Sequence, residues 1–413
     1  MKKELLLFVM TLIPMIASAF YGEVEIDGIN YLINGNIAIV KAKAPLYSGD
    51  VVIPDTIEYE GVASRVSAIG QGAFNSCTSL TSITIPNSVS DIYKSAFYGC
   101  TSLTSINLPN GVLLIGDNAF ASCTSLTSID IPNSVISIGE NAFSGCTTLT
   151  SVTIPNSVKY LNSGVFAHCT NLNSVIIPNS VTKINSGAFY GCTSLTSIEI
   201  PNSVTSIEYM VFYGCTSLTS IEIPKSVTKI EREAFRGCTS LNSITIPNSV
   251  TNIGQEAFRS CSSLTSIDLP DSLAHIATMA FHQCTSLKHV SIGSRITGIY
   301  FGAFSACPEL KHVYCHATLP PYTANENIFS NSHPENATLH VPDNVVGAYK
   351  SRYPWSLFGT IVGLTETDIK FVKDETPSGV DYYSLDGRQL VKSQRGVNII
   401  KMSDGTVKKV MVK

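Results

Sequence analysis

From Val66 to Val313 the apolar residues of this chain fall on one fixed period. Phe stands at Phe74, Phe97, Phe120, Phe143, Phe166, Phe189, Phe212, Phe235, Phe258, Phe281 and Phe304, one every 23 residues. Cys follows each Phe by three positions, from Cys77 to Cys307, and Leu follows each Cys by three, as in Leu80 and Leu195. The unit reads A-F-x-x-C-x-x-L-x-x-I-x-I-P-x-x-V-x-x-I. One residue type per position at a constant spacing predicts a single supersecondary unit stacked on itself.

The elements follow from the pattern inside the unit. "LTSIEI" ends in period-two alternation, which predicts a strand with Ile198 and Ile200 inward and Glu199 outward. Pro201 has no N–H and should end the ladder, and Pro-Asn-Ser supplies a turn. Val204 to Ile207 predicts a second, shorter extended piece. "EYMVFYGC" predicts one packed helical turn, closed by the Gly or Ser before the Cys. Coils ~4.8 Å apart would make eleven units a rod roughly 50 Å long.

Outside the repeat the chain changes character. Residues 1–19 carry Lys2 and Lys3, the apolar run Leu5 to Ile16, and Ala17-Ser18-Ala19, which read as a secretory leader, with an uncleaved anchor as the alternative. Residues 20–65 alternate apolar and polar around "NG" turns and predict a hairpin cap for the exposed first coil. The solenoid is expected over 66–314. A looser closing cap with Trp355 follows over 315–363, then a polar linker over 364–380. Residues 381–413 predict a small β-module punctuated by "DG" turns.

The repeat resembles the bacterial leucine-rich repeats of the BspA, or Treponema pallidum, type. That resemblance implies a β-rich solenoid, a right-handed stack of 23-residue coils, and a secreted or surface-attached role in binding. One departure stands out: no Asn column follows the strand, and Ser88 and its equivalents occupy that place. The last segment is similar to the C-terminal sorting domain of Bacteroidota secretion substrates, through Leu385, Asp386, Gly387, Arg388 and Gly396. A β-module that merely caps or tethers is the alternative there.

Charge narrows the function. A net charge of -4 and an isoelectric point near 6.1 offer no basic field, so nucleic acid is not an expected partner. No segment after the leader has the length and hydrophobicity of a membrane span, and the expected location is extracellular or at the outer-membrane surface. Twelve Cys in an exported protein invite a disulfide framework. Eleven share one column, however, where parallel side-chain vectors fit the disulfide torsion poorly and small buried thiols fit well. Cys315 replaces a strand Ile, which leaves Cys307–Cys315 as the one bridge to test.

Candidate chemistry is sparse. His289 and His312 share one phase in neighbouring coils with His316 close behind, but they stand where earlier coils carry Ser, and no metal or cofactor is expected. The outward strand position bears Asp130, Glu199, Glu222 and Asp268. A carboxylate pair for glycoside hydrolysis needs a cleft and one raised pKa, and an open strand face suggests neither. No nucleophile motif, zinc motif or phosphate loop appears, so no enzyme activity is expected.

The position after the repeat Phe is the exception to the uniformity. It runs Asn75, Tyr98, Ala121, Ser144, Ala167, and then Tyr190, Tyr213, Arg236, Arg259 and His282. Tyr209, Met210 and Arg232 lie beside it. Tyr and Arg dominate interface hot spots, and aromatic columns also suit sugar stacking. The candidate contact residues are therefore Tyr190, Tyr209, Tyr213, Arg232, Arg236, Arg259 and His282. The expected function is a non-catalytic scaffold or adhesin for host matrix or surface proteins or other cells. The alternative is a polysaccharide-binding accessory protein.

Overall fold

Each repeat turns its Phe, Cys, Leu, Ile and Val side chains to one side, and no single coil can cover them alone. In the computed structural model these columns stack into a continuous dry core. Residues 21–323 and 327–364 are described, together with the backbone of four C-terminal strands. Phe74 through Phe304 are all fully buried. Successive rings stack face to face with centroids from 5.1 Å (Phe74–Phe97) to 5.8 Å (Phe166–Phe189). The chain divides into two compact units, residues 1–361 and 362–413.

The first unit opens on an antiparallel meander: β1 (Tyr21–Ile26), β2 (Ile29–Asn34) and β3 (Ile37–Lys41), joined by tight Gly turns. β4 (Gly49–Val52) then pairs in parallel with β7 (Leu80–Thr84), so the capping segment already supplies the first rung of the strand ladder. β5 (Thr56–Tyr59) pairs with β6 (Val62–Ile69), which lies parallel to both β3 and β8 (Asp91–Ile92). Tyr47 closes this end by packing on Phe74 at 4.6 Å. At the other end Phe329 continues the ring column at 5.9 Å from Phe304, and fully buried Trp355 meets Phe329 edge-on. The second unit is a four-stranded antiparallel sheet in the order Gln389–Leu390, Asp381–Tyr383, Gly396–Lys401, Val407–Val412. The leader and residues 385–388 lie outside the described residues.

Alternation along the strand position is as expected: Ile198 and Ile200 are buried and Glu199 is exposed. Regular pairing there is intermittent, and several coils make only isolated bridges such as Asn107↔Asp130. The second extended piece forms throughout as two-residue parallel rungs, for example Ser206–Ile207 beside Lys229–Ile230.

The helical turn expected around each Phe does not form. The segment is a run of tight turns with two left-handed residues, two before and two after the Phe, as at Gly187 (φ 64°) and Gly191 (φ 69°). Alternating right- and left-handed residues point every second peptide N–H along the stacking axis. Gly187, Phe189 and Gly191 donate to the carbonyls of Tyr209, Val211 and Tyr213 in the next coil, at 2.9, 3.0 and 2.7 Å. The intervening Tyr190 and Cys192 close turns onto Gly187 and Phe189 within their own coil. A helix would spend all of these donors internally and leave the coils unlinked. Gly before the Cys is thus a left-handed turn residue rather than a helix stop.

The spacers are structural too. Where an Asn ladder was absent from the sequence, a Ser ladder stands: Ser134, Ser180 and Ser226 donate to the carbonyls of Val112, Val158 and Val204 at 2.6, 3.0 and 2.6 Å. Thr193, Thr216 and Thr239 likewise donate to the residue 23 positions earlier. The thiol column makes the corresponding contact inside the core. Each Cys from Cys100 to Cys307 donates its Sγ–H to the carbonyl of the preceding coil's Phe, as Cys192 does to Phe166 at 3.1 Å. All twelve Cys are free and buried. Cys307 and Cys315 form no bridge, because their thiols face Phe281 O and Tyr349 Oη, both at 3.3 Å.

Two outcomes follow. Phe189→Ala, in mid-column, is expected to lower the unfolding free energy by ~3–5 kcal/mol in denaturant titration, because rigid neighbours on both sides keep the cavity open. Burial pushes the thiols of Cys215 and Cys261 up to about 12 from an ordinary value near 9. The folded state therefore holds protons that the unfolded chain releases. Their stabilisation is complete below about pH 9 and falls by roughly 1.4 kcal/mol per pH unit per thiol above it. The melting temperature should stay flat to about pH 8 and drop steeply beyond. Thiol reagents should label none of the twelve in the native state and all of them in guanidinium.

Candidate binding surface

The variable wall is built on the turn segment, where each coil's outward residue is held between two axial hydrogen bonds. Tyr213 is an example: its carbonyl accepts from Gly191 while the next N–H, on Gly214, donates to Arg236 O at 2.8 Å. Side chains at equivalent positions then stack at the coil spacing. Tyr190 and Tyr213 stack with centroids 4.8 Å apart, and the Arg236 guanidinium lies 5.4 Å over the other face of Tyr213. His168 meets Tyr190 edge-on at 4.9 Å, and Arg232 lies 5.9 Å over Tyr209. His282 sits at the far end of the row with Nδ1 2.6 Å from Ser305 Oγ. Burial and the nearby Arg259 hold its pKa below the usual value, which favours the neutral ring.

All seven candidate contact residues thus lie on one wall, in two adjoining columns. The stacking has a consequence that a column of letters hides. Rings stacked along the coil axis spend their faces on each other and offer solvent their edges. Tyr213 has both faces covered, by Tyr190 and Arg236. At Tyr213 the wall presents a phenolic hydroxyl and a guanidinium edge rather than an open ring face.

Two glutamates that pattern reading missed hold this row. Glu233 and Glu256 are 2% and 6% exposed and sit at the left-handed position two before the Phe, with φ of 56° and 58°. Glu233 accepts from Arg232 Nε at 2.8 Å and Arg236 at 3.0 Å. Glu256 accepts from Arg236 at 2.6 Å, Arg259 at 2.9 Å and Gln255 Nε2 at 3.2 Å. Arg236 therefore bridges two coils. Burial alone would raise the Glu256 pKa, but the bonds from Arg259 and the charge of Arg236 hold it below the ordinary value. A charged side chain on left-handed backbone is unfavourable. The same column reads Gly, Ser or Asn from Gly72 to Gly187, then Met210, Glu233, Glu256 and Met279. That break was the available signal.

The other candidate chemistries do not assemble. His312 stacks on His289 at 5.4 Å and places Nδ1 3.1 Å from His340 Nε2, whereas His316 interacts with Asp271. Among the described residues no group of three or more His, Cys, Asp or Glu could hold a metal ion. Asp130, Glu199, Glu222 and Asp268 are exposed along the strand face. Neighbouring coils thin the water around Asp268 and push its pKa up to about 6, but its partner across the ladder is Ser291. The concavity beside Asp130 is lined otherwise by Ser128, Ile129, Ile131, Ser151, Val152 and Thr153.

Glu256→Gln keeps the shape and removes the charge that two arginines share. It is expected to cost ~1–2 kcal/mol at pH 7. A carboxylate whose folded pKa is depressed stabilises above its unfolded value of about 4.5 and loses that contribution as pH falls further. The gap between parent and variant should therefore close on acidification below pH ~4.5, as read from paired denaturation curves.

Known proteins share this architecture. The family described as BspA type leucine rich repeat region, in six copies, matches residues 56–173, 114–238 and 206–336. A leucine rich cell surface protein of Faecalibacterium prausnitzii is 28% identical with a TM-score of 0.56, over 86% of this chain and 98% of that one. A leucine-rich repeat protein of Bacteroides ovatus is 30% identical over 70% of this chain and 94% of its own, with a TM-score of 0.47. The pneumococcal vaccine antigen PcpA, 19% identical with a TM-score of 0.50 over 84% of this chain and 100% of that one, shares the fold. No curated protein matches. With the family's repeats running from residue 56 to 336 and a stacked, capped solenoid beneath them, the chain belongs to the BspA-type leucine-rich repeat family.

Proposed function

We propose that this protein is a non-catalytic binding scaffold displayed outside the cell, which grips a protein partner through the wall from Tyr190 to His282. The partner class is a host matrix or surface protein, or a protein on another cell. The similarity to a cell surface protein of F. prausnitzii supports the location. Among the described residues no helix is long and apolar enough to cross a membrane.

One observation carries the choice of partner. A polysaccharide site uses open aromatic faces for sugar stacking, and both faces of Tyr213 are covered. Hydroxyl and guanidinium edges on a rigid backbone suit the directional hydrogen bonds of a protein interface, where Tyr and Arg act as anchors. The buried glutamates fix the guanidinium planes before binding, so little side-chain entropy remains to be lost.

Surface plasmon resonance on immobilised fibrinogen and fibronectin, run beside a glycan array, tests this reading. Saturable binding to one of the proteins is expected. The double variant Tyr213→Ala, Arg236→Ala should weaken it by about tenfold or more, measured well below a melting transition that loss of the Arg236 bridge lowers. Binding to glycans alone, or protein binding untouched by the double variant, would remove the proposal.

A further inference from the structure

The left-handed column that carries the two buried glutamates follows its neighbours. By the register of the coils, each of its residues falls between the outward residue of the preceding coil and that of its own. Met210 falls between Tyr190 and Tyr213, which call for no charge there. Glu233 falls between Tyr213 and Arg236 and binds Arg236 at 3.0 Å. Glu256 falls between two arginines and binds both, Arg236 at 2.6 Å and Arg259 at 2.9 Å. The next place falls between Arg259 and His282, and it holds Met279. Its backbone is the same as that of the glutamates, with φ of 53° against 56° and 58°. The alternation of base and acid stops one acid short.

Arg259 records the omission. Arg236 has a carboxylate in its own coil and a second in the next. Among the described residues Arg259 has only the carboxylate of its own coil, Glu256. Its Nε is shut away from solvent and donates to nothing, an unfavourable state for a charged donor. The side chain as a whole is 27% exposed, so an anion can reach the guanidinium from outside. After burial, the charge of Arg259 is the next cause that holds His282 neutral. An anion between the two would offset that charge.

We propose that the partner supplies the missing acid: a carboxylate on an acidic segment of a bound protein docks between Arg259 and His282, over Met279. The inference rests on the wall being the protein-binding surface proposed above. A planar guanidinium with open donors takes a carboxylate in a paired, directional contact. Glu256 holds Arg259 from its other side, so the guanidinium meets the anion already oriented. The thioether of Met279 is unbranched and adaptable, and it yields to an entering side chain. The bound acid extends the ladder Arg232, Glu233, Arg236, Glu256, Arg259 by one alternating step.

Fluorescence polarisation on the full chain at low ionic strength, with a short labelled peptide of glutamates and its glutamine counterpart, tests the site. Saturable binding of the glutamate peptide alone is expected, weakened by salt. Met279→Glu installs the residue that the two preceding coils carry on the same backbone. It should weaken peptide binding about tenfold or more and melt above Met279→Gln, which keeps the shape without the charge and should bind as the parent does. No binding by the parent, equal binding of the glutamine peptide, or equal affinities in the two variants would overturn the proposal. So would a lower melting temperature for Met279→Glu than for Met279→Gln, or displacement of the peptide by alginate at lower carboxylate concentration than by unlabelled glutamate peptide, which would assign the site to a polyuronate. The titration uses no matrix protein. A chain that binds the peptide but neither fibrinogen nor fibronectin supports this site and removes the partner class named above; the opposite result removes this site and leaves that reading standing.

Discussion

Contact between one coil and the next is the constraint on which everything else depends. A lone coil has no core: its Phe, Cys, Leu and Val columns are buried only by their equivalents 23 residues away. The stacked Phe rings supply apolar contact and the turn-wall N–H groups supply direction, and both demand the same axial spacing. A residue too large or too small in one column would open a gap in both neighbours, so the columns are nearly invariant along the chain. The two ends of the ring column, where that contact would fail, are closed by Tyr47 and by Phe329 with Trp355.

This constraint explains why the spacers are so uniform. Thr in "TSLTSI" and most of the Ser in "PNSV" carry hydroxyls that bridge to the coil before, so much of their repetition serves bonding between coils. The turn wall varies more, in short stretches of a few coils, as in the row of Tyr, Arg and His residues from Tyr190 to His282.

The wall also illustrates how a rigid scaffold tolerates unfavourable parts. Glu233 and Glu256 combine burial, charge and left-handed backbone, three things that local preference disfavours. The axial hydrogen bonds fix the backbone regardless, and three arginines compensate the charge. Compensation by neighbours is what lets a rigid coil hold side chains that local preference disfavours.

The amino-acid sequence by itself determined the period, the identity of the core columns, the stacking of coils, the buried free thiols, and which coils carry Tyr, Arg and His. Each of these is a matter of which residue recurs at which spacing, and hydrophobic burial acts on that directly. Tertiary structure decided the rest. Whether the Phe segment is a helix or a run of turns depends on where its N–H groups find partners, and those partners lie 22 residues away in another coil. Whether Tyr213 offers its face or its edge depends on Tyr190 and Arg236 stacking from either side. The roles of Glu233 and Glu256 emerge only when Arg236 is seen to span two coils. Such choices are settled between coils, where distance along the chain and distance in space part company.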